Sequence, residues 1–152
     1  MKTMRVVTPV LVFSALSVMA SLGVARVVSA QADRPLGADF ILASGQRVTL
    51  TGTSLSIRFD KVENDSRCPK EGQCIWAGDA EVHLVLTTAG GGSDRAPAPR
   101  AVVLHTNGDP RQIVQDGLEV RLVGLAPVPS LEKPPSPQDY RATLHVARQT
   151  AK

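Results

Sequence analysis

Two cysteines and three histidines have the widest chemical reach in this chain. Cys68 and Cys74 are the only cysteines, with five residues between them in Asp65-Ser66-Arg67-Cys68-Pro69-Lys70-Glu71-Gly72-Gln73-Cys74-Ile75-Trp76-Ala77-Gly78. In an oxidising compartment so close a pair closes into a disulfide. Pro69 and Gly72 let the short ring turn back on itself. A redox dithiol is the chemical alternative, because Arg67 and Lys70 flank Cys68 and positive charge favours the reactive thiolate. Dedicated dithiol oxidoreductases, however, favour two intervening residues within an α/β pattern. Five intervening residues and no helix read as a structural staple. Trp76 is expected to pack against the disulfide and the core, a common use of tryptophan in sandwiches. Arg67, Pro69, Lys70 and Trp76 are the candidate binding residues of the segment.

His83, His105 and His145 each fall on the face opposite the apolar residues of their strands. Three imidazoles on adjacent strands would hold zinc or copper, with Asp79 or Glu81 near enough in sequence to add an oxygen. The metal reading rests on that convergence, since no close-spaced pair such as His-x-His is present. No Gly-x-Ser-x-Gly elbow marks a nucleophile. Gly90-Gly91-Gly92 lacks the lysine and the helix start that a phosphate cradle needs. Asp60, Glu63 and Asp65 read as a solvated strand end and an Asx-type turn. No catalytic residue and no cofactor are assigned, and the expected protein is not an enzyme.

The elements that position these side chains are strands. Leu55, Ile57 and Phe59 alternate with Ser56, Arg58 and Asp60, the period of two that one buried face demands. Val82, Leu84 and Leu86 repeat the pattern, as do Leu118, Val120 and Leu122, and then Leu144 and Val146. Weaker strands are expected at Phe40 to Leu42, Val48 to Leu50, Val102 to His105 and Arg111 to Val114. Between them stand Ser44-Gly45, Asn107-Gly108 and Asp116-Gly117, of which the Asn-Gly and Asp-Gly pairs supply the positive φ of tight hairpins. Ten prolines beyond Pro9 and the absence of a sustained 3.6-residue period leave little room for helix. The expected fold is all-β: an antiparallel, immunoglobulin-like sandwich of seven or eight short strands, with a small barrel as the alternative. Thr87 to Arg100 and the proline-rich Ala126 to Gln138 are expected to be exposed connections.

Residues 1–32 have the three zones of a secretory signal: Lys2 and Arg5, an uncharged stretch from Val6 to Ala25, and small residues before a cleavage point. Cleavage is expected after Ala32, with Ala30 as the alternative, leaving residues 33–152 as one β domain. Three of the seventeen basic residues lie in this leader, so fourteen remain against fourteen acidic ones. A neutral chain with four aromatic residues has no footprint for nucleic acid, nor for insertion in a membrane once the leader is gone.

The Asp-Ser-Arg-Cys-Pro segment, the second cysteine and the following Trp-x-Gly together resemble a group of small exported bacterial proteins without assigned function. The resemblance extends over Leu122 to Pro129 and Tyr140 to Val146, most of the domain. It implies a periplasmic or secreted bacterial protein and supplies no ligand or catalytic residue. The expected role is binding another envelope or secreted protein through loops, with metal handling and thiol redox chemistry as alternatives.

Overall fold

The computed structural model describes residues 32–89 and 99–149. Most of the leader and the Gly90-Gly91-Gly92 run lie outside the described residues. Among them nine strands form: β1 (Ala32–Arg34), β2 (Asp39–Ala43), β3 (Arg47–Leu50), β4 (Leu55–Glu63), β5 (Glu81–Thr88), β6 (Arg100–His105), β7 (Gln112–Gln115), β8 (Leu118–Ala126) and β9 (Arg141–Arg148). The only helical turn among the described residues is a short 3-10 helix at Pro137–Asp139. Every strand expected from alternation is present; β1 is additional.

Burial follows the alternation residue by residue. Leu55, Ile57 and Phe59 of β4, Val82, Leu84 and Leu86 of β5, and Val120, Leu122, Leu144 and Val146 of β8 and β9 are all buried, with partly exposed residues between most of them. One sheet has the order β1-β3-β4-β5-β6 and the other β2-β9-β8-β7. Neighbours are antiparallel except β1, which runs parallel to β3. The inner faces of both sheets meet in one apolar cluster containing Phe40, Phe59, Leu84, Leu122 and Leu144. This is the expected sandwich, and the sheets do not close into a barrel. Burying each such side chain stabilises by about 1.5–3 kcal/mol, so the core lies in the strands.

Two bulges reset the alternation. Between Phe59 and Lys61 the β4–β5 register slips by one residue, leaving Asp60 extra. Without that slip Lys61 and Glu63 would point inward; with it Val62 packs against the core and the two charges face out. The slip between Leu122 and Gly124 likewise brings Leu125 to the core.

Asp116 (φ 52°) and Gly117 (φ 73°) form the tight β7–β8 hairpin expected of them. Asn107-Gly108 does not. It joins β6 to β7, which belong to different sheets, and neither residue has positive φ. A hairpin turn needs paired strands on both sides. Here the Asn107 N–H donates to Asp79 Oδ1 at 2.8 Å, and the chain crosses between sheets.

Candidate functional site

The strand directions bring residues 64–80, residues 106–111 and residues 127–140 to one end of the sandwich, together with the short turn at residues 44–46. The first of these carries the cysteines. It leaves β4 through Asn64 at φ 49° and returns through Gly78 at φ 67°. The two limbs continue the β4–β5 pairing: the Ser66 N–H donates to the Asp79 carbonyl at 2.7 Å and the Cys68 N–H to the Ala77 carbonyl at 3.2 Å. The expected disulfide joins Cys68 to Cys74, with Cα atoms 5.8 Å apart. Within the ring the Gly72 N–H donates to the Pro69 carbonyl at 2.9 Å, the turn that Pro69 and Gly72 allow.

A polar network fixes this loop to the second sheet. Arg67 grips Asp65 with two parallel bonds, Nε to Oδ1 at 2.8 Å and Nη2 to Oδ2 at 2.7 Å. The same guanidinium donates to the carbonyls of Leu125 at 2.6 Å and Pro127 at 2.9 Å, and the Tyr140 hydroxyl donates to Asp65 at 3.0 Å. The Arg67 and Asp65 side chains are only 13% and 12% exposed. Arg67 is therefore a brace and has no free face for a thiolate or a partner. Asp65 does make an Asx-type bond, from the Arg67 N–H at 3.2 Å, but it is not solvated as its sequence context suggests.

The cysteine loop is also clasped to the proline-rich connection. The Lys70 N–H donates to the Pro129 carbonyl at 3.0 Å. Glu71 accepts from the Ser130 hydroxyl at 2.6 Å and from the Leu131 N–H at 3.0 Å. The Ser130 bond, acting against partial desolvation and helped by the Leu131 N–H, lowers the Glu71 carboxyl to about 2. Between the two loops lies a groove of about 310 Å³ lined by Lys70, Pro127, Val128, Ser130 and Lys133.

Trp76 overturns its expectation. It is 80% exposed and neighbouring Ile75 is 89% exposed, so the indole packs on neither core nor disulfide. No residue from Asn64 to Asp79 is fully buried, because the loop projects beyond the strand ends where no sheet face lies beneath it. Val128 and Leu131 of the clasped loop are exposed as well. Pro69 serves the turn, and Lys70 keeps an exposed ammonium 3.5 Å from Glu71.

The three histidines do not converge. His83 and His105 are on the adjacent strands β5 and β6, whereas His145 is on β9 in the other sheet, facing outward from the opposite side of the sandwich. Each has a carboxylate nearby: His145 Nδ1 lies 2.7 Å from Asp39 Oδ1, His105 Nδ1 binds Asp79, and His83 Nε2 lies beside Glu63 and Glu81 without completing a hydrogen bond. Outward alternation was legible in the sequence; which strand joins which sheet was not. Asp79 also accepts from Thr106 and Asn107, and although desolvation opposes it, the bonds led by His105 hold its carboxyl well below the ordinary range.

Comparison of the chain with protein-family models, with curated proteins and with solved structures finds no match. The fold and the site define a β-sandwich with a disulfide-closed, braced loop platform at one end. No helix among the described residues is long and apolar enough to cross a membrane.

Proposed function

We propose that this protein is an exported, non-enzymatic binding module that docks a periplasmic or secreted partner protein on its braced loop end. The observation that carries the reading is the exposure of Ile75 and Trp76 on a loop held by a disulfide and the Asp65–Arg67–Tyr140 network. Tryptophan is enriched among residues that dominate binding energy. A braced loop loses little conformational entropy on association, so the burial of its apolar surface is not offset by ordering. The three-zone leader and the disulfide support export. Lys70 and Lys133 along the groove favour a partner surface with carboxylates around an apolar pocket for the indole.

The redox alternative has little support, since the guanidinium that would activate Cys68 is committed to Asp65. A photo-crosslinking side chain at Leu131, installed in the exporting host, should give one discrete adduct that disappears when Trp76→Ala is added. The same side chain at Ile41, exposed on β2, should give none. Adducts unchanged by Trp76→Ala, or shared by both positions, would reject the proposal.

A further inference from the structure

At the base of the cysteine loop, three donor atoms meet on the outer face of the five-stranded sheet. The bulge at Asp60 turns Glu63 outward, opposite Glu81 in register, and His83 follows two residues along β5 on the same face. His83 Nε2 lies 3.0 Å from Glu63 Oε2 and 3.7 Å from Glu81 Oε2, and the three groups each offer a ligand atom within 4.8 Å of the others. The second oxygen of each carboxylate is held from outside. Lys61 Nζ donates to Glu63 Oε1 at 2.6 Å, and Asn64 Nδ2 donates to Glu81 Oε1 at 2.9 Å. The inner oxygens are left turned toward the imidazole, as outer hydrogen bonds orient carboxylates at metal sites.

His83 Nε2 is shielded from solvent and completes no hydrogen bond, the nearby Glu63 oxygen lying off the required line. An imidazolium ion-paired with one glutamate would aim its N–H at an oxygen; this nitrogen has two carboxylate oxygens within 3.7 Å and bonds to neither. Zinc bound at about 2.0–2.1 Å in a tetrahedron sets its ligand atoms about 3.3 Å apart, and the two nitrogen–oxygen separations bracket that edge. One imidazole and two carboxylates suit a borderline divalent ion better than calcium or magnesium, which prefer all-oxygen shells.

We propose that Glu63, Glu81 and His83 form a zinc site, with His83 Nε2 and the inner oxygens of the two glutamates as protein ligands and the fourth position open to solvent. The assignment does not rest on partner binding at the loop end. It also differs from a three-histidine centre, since neither His105 nor His145 takes part.

Calorimetric titration of zinc chloride into tag-free, chelator-stripped protein recovered from an exporting host tests the site. One ion per chain with a micromolar Kd is expected. His83→Gln and the pair Glu63→Gln with Glu81→Gln should each weaken binding at least about tenfold, while His105→Asn and His145→Asn leave it unchanged. These side chains are outside the core, and circular dichroism checks that each variant folds. In the unaltered protein, zinc should shift the NMR signals of the His83 ring alone. Absence of binding, retention in His83→Gln, or a shift centred on His105 or His145 would overturn the assignment.

Discussion

Asp65 is largely removed from water, which opposes its ionisation, yet hydrogen bonds from Arg67 and Tyr140 outweigh that penalty and hold its carboxyl below the ordinary range. A depressed carboxyl stabilises the fold above its unfolded value, about 3.9, and that contribution is lost as pH falls through the folded value. Asp65→Asn removes the charge that answers Arg67 and leaves a guanidinium only 13% exposed. Such a loss costs about 3 kcal/mol, the low end for buried pairs because the site keeps some solvent contact. Urea unfolding should show that deficit at pH 7. It should narrow at pH 3, where the wild-type protein begins to lose the same contribution. A deficit independent of pH would mean that Asp65 acts through shape and not through charge.

At the scale of elements, Gly78 decides whether the long β4–β5 connection can return along its outgoing limb. Its φ of 67° is left-handed, and a Cβ there would overlap the Ser66 carbonyl, whereas Gly117 at φ 73° faces open space. Gly117→Ala should cost about 1–2 kcal/mol for the backbone conformation alone. Gly78→Ala should cost more, and it should loosen the Ser66–Asp79 and Cys68–Ala77 bonds first. Amide hydrogen exchange faster at Ser66 and Cys68 than in the Gly117 variant would bear this out; equal exchange would not. The strands themselves were legible because half-buried strands write their faces into the sequence, as Leu55 to Phe59 does. The bulge at Asp60 was not, since a one-residue slip leaves no compositional mark; Glu63 is the exposed strand end its context suggests, but its placement opposite Glu81 and beside His83 depends on that slip. Asn107-Gly108 carried a hairpin signal that the partition into two sheets overrode. Asp65, Arg67 and Tyr140 stood in view, but a contact spanning 75 residues depends on topology that alternation does not encode.

Across the whole molecule, core and loop platform are separate in composition and joined by polar contacts. No residue from Asn64 to Asp79 belongs to the buried core, so the sandwich does not need the cysteine loop to bury its apolar surface. Closing a seven-residue ring stabilises a fold by about 2–2.5 kcal/mol through loop-closure entropy. That figure is an upper bound here, because a loop without its disulfide can detach locally while the sheets stay paired. Cys68→Ser with Cys74→Ser should therefore lower stability by no more than about 2 kcal/mol and leave the far-ultraviolet spectrum of the sandwich unchanged. If the proposed binding role holds, partner capture should suffer disproportionately. Trp76 stands two residues beyond Cys74, and a loop that opens must be reordered at each encounter, so the fraction of molecules competent to bind falls even where the fraction folded does not. Measured together, melting temperature and crosslinking yield at Leu131 separate these effects. A small thermal loss with most of the adduct gone places the disulfide's role in presenting Trp76, while a parallel loss of both would make it an ordinary staple of the fold.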